Sequence, residues 1–170
     1  IAADLTARGD RVTAFVRDVS MPAELADTVQ ANLNADDATL DSLDKAAAKV
    51  IGKLRTRDAL GAMGVLFVSG DAINETDVQA AFAQSEYDAA ITTIGAINAN
   101  PPPDYIGNAN IFDAAKASGV ERVILVSTIG AGDSFDAAPL PARMGLAAVI
   151  PLKTQAEDHL RESGLDYTVI

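Results

Sequence analysis

No cysteine occurs among the 170 residues, which excludes disulfides, thiolate metal sites, iron–sulfur clusters and a cysteine nucleophile within this chain. Histidine occurs once, at position 159. With carboxylates scattered at helix starts, nothing has the spacing of a metal site. His159, flanked by Glu157 and Asp158, reads as a surface histidine. Tryptophan is absent and aromatic residues make up only 5%. The core must therefore be built from Ala, Val, Ile and Leu, which suit helices packed on a parallel sheet. Basic residues number 13 against 24 acidic ones, a formal net charge of −11. That balance disfavours nucleic acid and anionic membrane as partners. The longest uncharged apolar stretch, 145–152, is far too short to span a bilayer. The expectation is a soluble, cytoplasmic protein with a small-molecule substrate.

What is present is an alternation. An apolar fraction of 49% and this length fit one domain, 1–170, with a sizeable core. Ile1 and Leu5 lie one turn apart in a helix stopped by Gly9, and a strand over 12–16 follows, ending in Arg17 and Asp18. Residues 20–64 read as a helical insertion. An earlier helix has Pro22 in its first turn, and a later one carries Leu40, Leu43, Ala47, Val50 and Leu54 as an apolar stripe. Lys45, Lys49 and Lys53 form a second stripe, read as a solvated face, with a lid or a homo-oligomer contact as the alternative. Strands follow at 65–68, 88–93, 123–126 and 166–170, with helices between them at 76–84, 105–118 and 154–163. Thr76 and Gln79 form the expected capping box of the first of these. Ile106, Ile111, Ala114 and Ala115 are the expected inward residues of the second. The apolar run 123–126 reads as a strand buried on both faces.

Strands alternating with helices from end to end specify an α/β fold, a doubly wound parallel sheet of the Rossmann type that binds dinucleotides. The chain opens in what reads as the middle of a helix and closes in the middle of a strand. The expectation is a domain truncated at both ends, with its first strand and Gly-rich turn upstream.

In such sheets ligands sit outside the carboxyl ends of the strands. Arg17 ends the first strand seen, where a basic residue accommodates a ribose 2′-phosphate and an acidic one binds the free hydroxyl. Arg17 thus points to NADP, while Asp18 keeps NAD open. Asp71, after the next strand, could accept from an adenine amino group. Gly95, after the third, leaves room for backbone to approach a ribose or pyrophosphate. Ser127 and Thr128 end the strand at 123–126, within reach of a bound molecule, and would serve equally as caps of strand-end backbone groups.

With these residues in view, the sequence resembles the atypical short-chain dehydrogenase/reductase group, in its NAD(P)H-binding NmrA-like and flavin-reductase-like branch. The likeness is carried by VTAFVRD at 12–18, GDA at 70–72 and TIGA at 93–96. It continues with GNANIFDAAKASGVERVILVSTIGA at 107–131 and KTQAEDHLRESGLDYTVI at 153–170. The resemblance implies that Arg17 binds the 2′-phosphate, and that Gly70, Asp71 and Ala72 line the adenine site. It implies further that Thr93, Ile94 and Gly95 line the middle of the cofactor, that Ser127 is the active-site serine with Thr128 beside it, and that Lys153 holds the nicotinamide ribose.

Reductases of the wider family carry a Tyr four residues before the Lys, where the ammonium lowers the phenol pKa for proton donation. Here that position is Val149, and Pro151 intervenes. Tyr-dependent carbonyl reduction is therefore not expected. The expected activity is NADPH-dependent hydride transfer to a small conjugated acceptor of flavin, quinone or enone type. The alternative is a non-catalytic NADP(H)-binding redox sensor or scaffold.

Overall fold

The computed structural model describes residues 1–17, 23–96 and 99–170. Asp18 and Pro22 lie outside the described residues. By internal contacts the chain divides into two compact units, Ile1–Ser69 and Gly70–Ile170. Each has parallel strands linked through helices, and the fold is a Rossmann-type α/β fold.

In the first unit, α1 (Ala2–Ala7) stops where Gly9 takes φ +94, a conformation open to a residue without Cβ. β1 (Thr13–Val16) pairs in parallel with β2 (Leu66–Ser69), Thr13 opposite Leu66. β2 departs from the buried strand expected at 65–68. Val65 is buried, but Leu66 is 67% exposed and Phe67 and Val68 are half-buried. A two-stranded sheet has too little surface to enclose both faces. Arg57 stacks over the Phe67 ring, 5.2 Å from its centroid.

Between these strands lie a 3₁₀ turn (Ala23–Leu25), α2 (Ala26–Asn32), α3 (Asp37–Ser42) and α4 (Lys45–Ala62). The later helix expected as one piece is two. Asp44 caps α4 by accepting from the Ala46 N–H at 2.8 Å, and Asp36 caps α3 by accepting from Thr39 at 2.9 Å. The apolar stripe holds across the break. Val29, Ala47 and Ile51 form a buried cluster with Leu25, Leu40, Leu43, Val50 and Leu54 against it. Arg55 reaches back to the carbonyls of Asn32, Leu33 and Ala35, satisfying acceptors that the end of α2 leaves without helical partners. Lys45, Lys49 and Lys53 are exposed.

The second unit holds α5 (Glu75–Phe82), β3 (Ala89–Thr92), α6 (Ile106–Ala117), β4 (Arg122–Leu125), α7 (Leu140–Gly145), α8 (Ile150–Glu162) and β5 (Asp166–Val169). β4 lies between β3 and β5, all parallel, with Ile91 opposite Ile124 and Ile124 opposite Thr168. α5 begins two residues earlier than a Thr76 cap would set it, because Asn74 is the cap, accepting from Thr76 N–H at 3.0 Å. β4 is buried on one face through Val123 and Leu125, while Ile124 is half-buried. α6 and α8 pack on each other and on the sheet. α6 turns Ile111, Ala114 and Ala115 inward as expected, but Ile106, in its first turn, is 47% exposed.

Candidate functional site

The carboxyl ends of β3 and β4 meet one face of α8. Val126 N–H donates to the Thr92 carbonyl at 2.9 Å, so the two strand ends stay in register where the chain leaves the sheet. Thr93 and Gly95 are then exposed and Ile94 is half-buried. α8 starts at Ile150 with Pro151 in its first turn, where a missing N–H costs nothing. One turn into the helix lies Lys153.

Lys153 is 4% exposed. Its Nζ donates to the Ile94 carbonyl beyond β3 and, at 3.5 Å, to the Val126 carbonyl beyond β4. Burial pushes the ammonium below its ordinary pKa, with the negative charges of Asp104 and Glu157 opposing that shift. A Cβ added at Gly95 would stand 2.8 Å from Asp104 Oδ1 and 3.6 Å from Lys153 Nζ. Only glycine lets the backbone lie this close to the two charges.

Asp104 and Asn108 support that backbone from beneath. Asp104 is 1% exposed; its Oδ2 accepts from Ala96 N–H at 3.1 Å, and its Oδ1 is buried without a hydrogen-bond partner. Asn108, fully buried, accepts from Thr92 Oγ1 at 2.7 Å and donates to the carbonyls of Asp104 at 2.7 Å and Ile94 at 3.4 Å. A Cβ added at Gly107, in the same helix, would stand 3.2 Å from the Ala72 Cβ and 3.6 Å from Ile94 Cγ2. Ala72 is thus brought to the same strand ends, and its carbonyl accepts from Asn110 at 2.9 Å. Asp71 Oδ1 accepts from Ile73 N–H at 3.2 Å, and Asp71 N–H donates to Asp77 at 2.9 Å. Gly70 precedes them, half-buried.

Ser127 and Thr128 line a cleft of about 400 Å³ with Ile129, Asp133, Glu157 and Arg161 among its walls. Ser127 Oγ donates to Glu157 Oε1 at 2.5 Å, and Arg161 donates to Glu157 Oε2 at 2.9 Å. The segment 130–142 contains a 3₁₀ turn (Gly132–Ser134) and the start of α7. Gly132 N–H donates to Thr154 at 3.0 Å, which fixes this wall to α8.

The expected residues Ala72, Ile94, Gly95, Ser127, Thr128 and Lys153 therefore gather along the carboxyl ends of β3 and β4, with Thr93 exposed next to Ile94. Arg17 ends β1 in the first unit and is exposed. Asp104, Asn108, Glu157 and Arg161 were not expected. A spacing of four would have found them, since Asn108 follows Asp104 and Glu157 follows Lys153 by one helical turn. The surface reading of His159 is corrected, and its neighbour Glu157 is buried. His159 is half-buried, 2.9 Å from Asp113, edge-on to Tyr105 and tilted against Phe112, and Glu157 is 4% exposed. One turn before Lys153, Val149 is buried and apolar. Among the described residues no group of acidic, histidine or cysteine side chains has the arrangement of a metal site, and no helix is long and apolar enough to cross a membrane.

These residues fit a dinucleotide. The backbone beyond β3 is bare because Gly95 must be glycine, and a cation stands under it. Comparison with known proteins points the same way. Residues 42–170 match a family model described as NAD(P)H-binding. An uncharacterized chloroplastic protein of Arabidopsis thaliana is 42% identical over 67 residues, 39% of this chain and 20% of that protein. Sanguinarine reductase of Eschscholzia californica is 36% identical over 67 residues, 39% of this chain and 23% of that protein. The structure of an anaerobillin reductase from Escherichia coli O157:H7 matches with a TM-score of 0.65 at 25% identity, covering 99% of this chain and 64% of that one. The chain thus spans less than two thirds of the length of each of these relatives.

Proposed function

The chain belongs to the NAD(P)H-binding family, and from that membership we propose that it forms the cofactor-binding part of an NADPH-dependent oxidoreductase acting on a small conjugated acceptor of flavin, quinone or enone type. Its cofactor is a nicotinamide dinucleotide, which when bound supplies the hydride. The observation that carries the reading is Lys153, a buried ammonium tied to the carbonyls of Ile94 beyond β3 and of Val126 beyond β4, the residue before Ser127. A charge held out of water needs a reason. Here it lies where an open α/β sheet binds its ligand.

In this reading Gly70, Asp71 and Ala72 line the adenine end, and Arg17 selects a ribose 2′-phosphate. Thr93, Ile94 and Gly95 bear on the middle of the cofactor, and Lys153 holds the nicotinamide ribose. Ser127 and Thr128 orient what binds in the cleft. No tyrosine stands one turn before Lys153, so the acceptor takes its proton from solvent and the chain contributes orientation. The likeness to proteins named as reductases supports the activity. The reading takes 1–170 as one dinucleotide-binding domain with a helical insertion at 20–64. The buried Val149 favours a second reading, a sensor that binds NADP(H) without turnover.

The test is NADPH consumption with flavin, quinone and simple carbonyl acceptors, beside a binding titration. Turnover with flavin or quinone but not carbonyl is the expected result. Tight binding without consumption supports the sensor, and absence of binding overturns both. In the same titration, Arg17→Ala is expected to weaken NADPH roughly tenfold or more, the loss of a charge-assisted contact, and to leave NADH within about twofold. Equal weakening removes the 2′-phosphate assignment.

A further inference from the structure

Glu157 is a carboxylate that the reaction as proposed does not use, yet it is built into the site more completely than Ser127 itself. It is 4% exposed, and both oxygens are engaged, Oε1 by Ser127 Oγ at 2.5 Å and Oε2 by Arg161 at 2.9 Å. The loop after β4 closes on it, because a Cβ added at Gly132 would stand 2.2 Å from Oε2. Gly132 also has φ +50, so both space and backbone conformation exclude a side chain there. Lys153 and Glu157 are one turn apart on α8. The first holds the carbonyls of Ile94 and Val126, and the second holds the hydroxyl of the next residue, Ser127.

A hydroxyl has one proton and two lone pairs. With its proton given to a buried carboxylate, Ser127 has only lone pairs left for the cleft. We propose that Glu157 is a positioning residue that commits the Ser127 proton, so that Ser127 meets its ligand as a hydrogen-bond acceptor and not as a proton donor. The site then favours a molecule presenting an N–H or O–H to Ser127. This rests on the cofactor reading above, and adds to it the direction of the Ser127 hydrogen bond.

Two measurements on the complete protein test it. The first is a cycle of Glu157→Gln and Ser127→Ala, read as kcat and KM for riboflavin, whose ring presents an N–H, with NADPH as the reductant. Glu157→Gln is expected to lower kcat/KM about tenfold when Ser127 is present and by less than about twofold when it is Ala, the coupling of two groups in contact. Glu157→Asp, which keeps the charge on a shorter arm, is expected to recover part of the loss. Equal losses in both backgrounds, or the same loss from Arg161→Gln, make Glu157 a structural residue of α8 and overturn the proposal.

The second measurement needs neither turnover nor a Glu157 variant. The side-chain carboxyl carbon of Glu157, assigned through its own backbone by NMR, is expected to shift in Ser127→Ala and to hold its native position when the unsubstituted protein is saturated with NADP⁺. Movement to the Ser127→Ala position on adding NADP⁺ means that the ligand takes the serine proton, which overturns this proposal alone. If NADP⁺ leaves the amides of residues 93–95 unmoved, the cofactor assignment falls and this proposal with it.

Discussion

Lys153 carries a charge that water no longer solvates, and the consequence is a dependence of stability on pH. Burial lowers its pKa below the ordinary 10.5 against the pull of Asp104 and Glu157. In the unfolded chain the lysine titrates at its ordinary value. Between the lowered value and 10.5 the unfolded chain binds more protons, so stability from this group rises with pH across that window. Urea midpoints of the native protein are therefore expected to gain on those of Lys153→Met as pH rises through the alkaline range. A constant difference means that the ammonium is solvated. The same lysine was legible in the sequence from its place in KTQAEDHLRESG at 153–164. Its two carbonyl partners were not, because they lie 59 and 27 residues away.

At the scale of elements, two devices hold the frame. Asn108 ties α6 to the end of β3, and Asn108→Ala leaves the Thr92 hydroxyl and the Asp104 carbonyl without their buried partner. The expected cost is roughly 1–3 kcal/mol for each group so left, read from urea unfolding of the second unit's signals. In the helical insertion, Ile51 is fully buried against Val29 and Ala47. Ile51→Ala is expected to destabilise by about 2–5 kcal/mol, whereas Asp44→Ala, which removes only the α4 cap, is expected to cost about 0.5–2 kcal/mol. If the two substitutions cost the same, the α2–α4 cluster is not a packed core. The stripe from Leu40 to Leu54 announced this packing. The break at Asp44 was hidden because the apolar spacing runs unchanged from α3 into α4. Asn74 was passed over for Thr76 for a related reason: both can cap, and only the backbone path of 71–75 selects between them.

For the whole molecule, cofactor binding and folding are linked. NADPH at about one hundred times its dissociation constant is expected to stabilise the protein by about 2.7 kcal/mol, seen as a rise in Tm, with NADH at the same concentration giving less. An equal rise for the two removes NADP preference. The sequence by itself determined the alternation of helices and strands, though not the break between α3 and α4 or the presence of α7, since helix and strand periods, glycine stops and prolines act over neighbours in the chain. It also marked Ser127, at the end of an apolar run, and through the family resemblance Lys153. Only the tertiary structure decided which polar groups are buried and what they hold. Glu157 and Asp158 are adjacent carboxylates, yet one is enclosed by Ser127, Gly132 and Arg161 and the other stays in water. Burial is a property of what folds over a side chain, and Ser127 comes to Glu157 from 30 residues away.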